Sequence, residues 1–135
     1  MTIEPITGLG SPVGLYSHAV PIPAGRRLLC VSGQLSVDGE GNSVAQGDFD
    51  AQMRQVFSNL ATVLAAAGSE LGDVMKMTTY LVDPAHIDDF YRVRAELFQD
   101  LYPDGVYPGN TLLVISRLVR PEFLIEIEAL ATIGE

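Results

Sequence analysis

Two glutamates spaced by one residue, Glu126 and Glu128, interrupt the apolar run Leu124-Ile125-Glu126-Ile127-Glu128-Ala129-Leu130. If this run is a strand, its period of two puts both carboxylates on one face and Ile125, Ile127 and Ala129 on the other. The carboxylates then stand about 7 Å apart. Like charges at that range raise each other's pKa, which would let one of them carry a proton to or from a reacting group. The same pattern equally describes a plain solvated strand face.

Other residues offer chemistry with less support. Arg94 falls on the apolar stripe of a predicted helix, seven residues after Ile87. An arginine there either snorkels its head to water or pairs with a buried carboxylate. A third role, holding an anionic substrate, requires it to reach a pocket. In Val31-Ser32-Gly33-Gln34, Gly33 permits a sharp bend or a close ligand approach, and Ser32 and Gln34 add polar side chains. The single cysteine, Cys30, sits in Leu28-Leu29-Cys30-Val31 and reads as a buried core thiol. One cysteine permits neither an internal disulfide nor a multi-cysteine zinc site. His18 and His86 lack the spaced partners a metal needs, so no metal is expected. No phosphate loop, dinucleotide fingerprint or nucleophile elbow is present.

The chain that must position these residues has 135 amino acids, 47% of them hydrophobic, which suits one domain over residues 1–135. Its net charge is −9, and its eight basic residues are scattered, with Arg26-Arg27 the one adjacent pair. Phosphate backbones need clustered Lys and Arg, so nucleic acid is not an expected partner. No apolar run approaches the roughly 20 residues of a membrane span. The N-terminus lacks a basic start and carries Pro5, Gly8 and Gly10, unlike a secretion signal. A cytoplasmic location is expected.

The pattern predicts β-β-α-β-α-β-β. Residues 16–22 and 27–31 read as strands around Pro23-Ala24-Gly25, and Asp38-Gly39-Glu40-Gly41-Asn42 as a hairpin tip. A helix capped by Asp48 or Asp50 carries Met53, Val56, Phe57, Leu60, Val63, Leu64 and Ala67 on one face, and Gly68 stops it. Residues 74–82 form a strand ended by Asp83-Pro84. A second helix follows with Ile87, Phe90, Leu97, Phe98 and Leu101 on its stripe, then a loop at 102–109. Residues 111–118 and 124–132 are the last strands. This is an α+β domain with a single mixed sheet. Two helices cover one sheet face, and the bare face calls for a second copy of the chain.

Taken in order, several blocks resemble the Rid (YjgF-like, reactive-intermediate deaminase) family over almost the whole chain. They are Gly14-Leu15-Tyr16-Ser17-His18-Ala19, Val31-Ser32-Gly33-Gln34, Met77-Thr78-Thr79-Tyr80-Leu81-Val82-Asp83, residues 110–118 and Ile125-Glu126-Ile127-Glu128-Ala129. The resemblance implies a chorismate-mutase-like fold and a ring-shaped homotrimer with small-metabolite pockets between subunits. It also implies cofactor-free hydrolysis of imines and enamines to a keto acid and ammonia. By position, Tyr16 would line the pocket, the backbone at Gly33 would bind substrate or water, and Glu126 would activate water. Ser32 and Leu112 fall at further pocket positions. The chain departs from the family at Tyr107-Pro108-Gly109-Asn110-Thr111, where Asn110 stands in place of the arginine that holds the substrate carboxylate. Losing that charged contact would cost about 1.5–3 kcal/mol, and Arg94 is the candidate to replace it.

Three functions follow. The first is hydrolysis of a small imine or enamine, with Glu126 as base and Tyr16 orienting. The second is an enzyme retuned to an uncharged substrate, or a non-catalytic metabolite-binding trimer, to which Asn110 points. The third is action on RNA, which the charge opposes.

Overall fold

The computed structural model describes residues 4–6 and 8–134. Among these residues the order is β1 (Arg27–Gln34), α1 (Phe49–Ala66), β2 (Val74–Leu81), α2 (Ile87–Leu101), β3 (Gly109–Val114) and β4 (Ile125–Ile133). Single 3₁₀ turns at Leu71–Asp73 and Pro84–His86 lead into β2 and α2.

The strands form one sheet in the order β1-β4-β2-β3. β4 lies antiparallel to both β1 and β2, whereas β2 and β3 are parallel. A parallel pair needs a long crossover, and α2 supplies it. The predicted class, two helices on one mixed sheet, is the architecture observed.

α1 begins where Asp48 accepts the Ala51 N–H at 3.0 Å, satisfying one of the helix's free donors. It ends before Gly68, whose φ of +77° suits the left-handed residue after a helix. Met53, Val56, Phe57, Leu60 and Leu64 are buried, but Val63 stays 38% exposed at the edge of the stripe. From α2, Phe90, Val93 and Phe98 enter the same core, where they meet Val31, Met77, Leu81, Ile125, Ile127 and Ala131 from the sheet. Both helices therefore clad one sheet face.

Three expectations need correction. Residues 16–22 form no strand and contribute one bridge, Ile6 to Ala19, with the Ile6 N–H donating to the Ala19 carbonyl at 2.8 Å. Pro21 and Pro23 lack the N–H groups that a longer ladder would need. β3 stops at Val114 rather than at residue 118, because its partner β2 ends at Leu81. The last bond of the pair runs from the Ile115 N–H to the Leu81 carbonyl, at 2.8 Å. Cys30 is exposed, not a core thiol. Alternation along β1 turns Leu29 and Val31 toward the helices, and Leu28 and Cys30 the other way.

Gln52 ties α1 to the turn before β4. Its side-chain amide donates to the Glu122 carbonyl at 2.9 Å and to the Ala45 carbonyl at 3.3 Å, and its oxygen accepts the Leu124 N–H at 2.9 Å. It is 1% exposed. Gln52→Leu keeps the volume but strands a backbone N–H and two carbonyls in the interior. Stability should fall by about 2 kcal/mol or more, read by urea unfolding.

Candidate functional site

The register of β1 on β4 slips beside the glutamates. Val31 pairs with Ala129 and Gln34 with Ile127, so β1 uses one residue more than β4 over this stretch. Such a bulge re-aims the local backbone. Here it lays Gly33 directly over Glu126: a Cβ on Gly33 would stand 2.5 Å from the Glu126 carboxyl carbon and Oε2. This close approach, and not its φ, favours a glycine here, since any Cβ would displace the Glu126 side chain. Glu126 is half-buried. Burial, and then the nearby Glu128 carboxylate, push its pKa above the ordinary 4.5.

Glu128 has a different environment. The Tyr80 hydroxyl donates to its Oε1, across the β2–β4 pair. That bond is the main reason the Tyr80 phenol is raised above 10.0, with burial and the two glutamates adding to it. Tyr80 escaped the sequence reading. Alternation in β2, with Met77, Thr79 and Leu81 inward, was the available signal that Lys76, Thr78 and Tyr80 share the glutamates' face. On this uncovered face Cys30, Ser32, Lys76, Thr78, Glu128 and Leu130 border a groove of about 350 Å³.

Tyr16 lies elsewhere. Its segment is stitched to the loop before β3 by the Ser17 N–H donating to the Pro108 carbonyl at 3.0 Å, and by the Ser17 hydroxyl to the Tyr107 carbonyl. Tyr16 and His18 line a cleft of about 290 Å³ that shares Lys76 and Leu130 with the groove. Lys76 pairs with Leu130, and Tyr80 with Glu126. Four residues of strand, about 13 Å, thus separate the Tyr16 end of the face from Glu126. Tyr16 and Glu126 therefore stand at different ends of this face within the chain.

Asn110 and Arg94 meet on the opposite, helix-side face. Asn110 Oδ1 accepts the Thr79 hydroxyl at 3.0 Å. It borders a cavity of about 10 Å³ together with Thr79, Met77, Phe90, Phe98 and Arg94. Arg94 is 3% exposed, so it does not snorkel. Nor does it pair: among the described residues no carboxylate lies within ion-pair distance of it, and its Nε has no hydrogen-bond partner. Its guanidinium carbon instead sits 4.8 Å from the Phe90 ring centre and 5.2 Å from that of Tyr91. Burial pulls its pKa below the ordinary value, and the surrounding Tyr91, Tyr16 and Tyr107 oppose this. Leu112 packs against the hydrophobic core.

A two-helix chain with a half-covered mixed sheet, a glutamate on its open face and a glycine-bearing bulge above it defines a recognisable class. The model of the family described as Endoribonuclease L-PSP matches residues 9–133, and the chain belongs to this YjgF/Rid family. A RutC family protein of Pyrococcus horikoshii is 38% identical over 120 residues, 89% of this chain and 88% of that one. A 2-iminobutanoate/2-iminopropanoate deaminase of Salmonella typhimurium is 31% identical, covering 88% of each chain. The crystal structure of a Rid-family protein from Yersinia pestis superposes with a TM-score of 0.84 at 33% identity, over 98% of this chain and 100% of that one.

Two outcomes follow from the Glu126 environment. Because its folded pKa lies above 4.5, the folded state holds the proton more tightly than the unfolded one. Stability is thus lost as pH rises from the unfolded value through the folded one. Glu126→Gln lacks this titration, so its melting temperature should gain on the parent as pH rises above 4.5, with little difference at the acid end. Gly33→Ala should fold, since the far end of Glu126 can swing aside. In a carboxyl NMR titration, the displaced Glu126 should move back toward 4.5.

Proposed function

We propose that this chain is the subunit of a cofactor-independent deaminase that hydrolyses small reactive imines and enamines, in pockets between the subunits of a homotrimer. The observation that carries this reading is Glu126, set under the Gly33 bulge on an uncovered face with its pKa raised. A carboxylate nearer neutrality is a better proton shuttle. It takes a proton from water as the oxygen adds to the imine carbon. It returns that proton to nitrogen to give the neutral carbinolamine, then carries the hydroxyl proton to the same nitrogen as the C–N bond breaks, leaving a carbonyl and ammonia. An enamine enters the same route after protonation at carbon.

The separation of Tyr16 from Glu126 within one protomer supports a pocket completed by a neighbour. So does the sheet face itself, which exposes Leu28 (55%) and Leu113 (39%) beside the polar row. The Salmonella relative's name supplies the reaction class. Among the described residues no helix is long and apolar enough to cross a membrane. A net charge of −9 favours a small metabolite over RNA.

A second reading rests on Asn110, which brings no charge to the position where the family arginine would hold a carboxylate. It describes either a metabolite-binding trimer or an enzyme for an uncharged substrate. Ammonia release from 2-iminopropanoate generated in situ separates the two. The deaminase reading expects release above the spontaneous rate, reduced about 10²–10⁴-fold in Glu126→Gln. No acceleration by the assembled protein would leave the second reading standing.

A further inference from the structure

We infer that Arg94 is kept unpaired inside the protomer to receive the carboxylate of a small anionic ligand, delivering from helix α2 the charge that Asn110 does not supply from the sheet. A guanidinium presents five donors and cannot shed its charge. Burying one without a carboxylate is unfavourable unless something repays it. Here Arg94 is 3% exposed, its Nε is unpartnered, and the Phe90 and Tyr91 rings at 4.8 and 5.2 Å offer it faces but no acceptor.

The surroundings lead outward from it. A Cβ on Gly14 would stand 2.7 Å from Arg94 Nη2, so only a hydrogen separates that backbone from the guanidinium. Gly14 and Tyr16 border a cleft of about 310 Å³. On the other side Asn110 borders both the small cavity at Arg94 and the cleft of about 290 Å³ that Tyr16 also lines. The cavity holds about 10 Å³, room for about one water-sized atom. A carboxylate oxygen of the ligand would occupy this space, which Arg94 and Asn110 both border.

This deepens the deaminase reading and rests on it for the substrate's identity, an imino acid; the binding itself is measured without turnover. The experiment is calorimetric titration of the assembled protein with propionate and with uncharged propionamide. The parent should bind propionate, and propionamide at least tenfold more weakly. Arg94→Met should weaken propionate about 10- to 100-fold, with Arg94→Lys in between. Removing a lone buried charge should leave the Arg94→Met melting temperature equal to the parent's or higher, whereas a purely structural arginine would lower it. Asn110→Asp places an internal carboxylate beside Arg94 and should abolish propionate binding while the protein stays folded. Equal binding of propionate by the parent and Arg94→Met, or a parent that binds neither probe or both equally, would overturn the inference. Arg94-dependent binding without ammonia release would sink the deaminase reading alone. Ammonia release with Arg94-independent binding would sink this one alone.

Discussion

β4 sits between β1 and β2, and its two-residue period sets the polarity of the whole sheet. Ile125, Ile127 and Ala131 are fully buried on one side, and Glu126 and Glu128 occupy the other. Two helices suffice to cover the apolar side, and they leave the carboxylate side open. On that open side Leu28, Cys30, Leu113 and Leu130 mingle with Ser32, Lys76, Thr78, Tyr80 and the glutamates. The surface that carries the candidate chemistry is thus also the sheet face that the helices leave uncovered. Any assembly that buries its leucines also removes water from its glutamates, and desolvation further favours the protonated carboxyl.

The two glutamates illustrate how environment divides like groups into unlike roles. Glu128 accepts a hydrogen bond from the Tyr80 hydroxyl. Glu126 meets a glycine instead of a donor, and burial is the largest influence on it. A bulge of one residue in β1 makes the difference. Without it, Ser32 and Gly33 would pair regularly with β4 and Gly33 would not overlie the carboxylate. On the far side of the sheet the electrostatics are reversed: a chain of net charge −9 encloses Arg94 among aromatic rings without a carboxylate. Membership of a family fixes the scaffold, whereas these local environments decide which substrate it can serve.

Much of this was legible in the residues alone. The periodicity of α1, its Gly68 stop, the face assignment of Glu126 and Glu128, and the half-clad sheet follow from local rules that tertiary context did not override, and of the two expected caps Asp48 is the one used. Asp38 likewise behaves as its turn sequence requires, accepting the Glu40 and Asn42 N–H groups at 2.9 and 3.0 Å. The expected strand at 16–22 failed because composition favoured extension there while Pro21 and Pro23 denied it a ladder. Cys30 was misplaced because a short apolar run does not reveal which of its members faces the helices.

The sequence by itself determined periodicities, caps and breakers, because these depend on residues within a turn or a strand pair of one another. Tertiary structure alone decided the partners across the chain. The Tyr80–Glu128 bond joins positions 48 apart, and the Thr79–Asn110 bond positions 31 apart. The approach of Gly33 to Glu126 depends on a register slip that no local pattern announces. Arg94 was visible as a charge on an apolar stripe, but its stripe could not say whether water, a carboxylate or aromatic rings would meet it. That was settled by which loop crosses α2, and the loop that crosses brings Gly14, with no side chain to keep the guanidinium away.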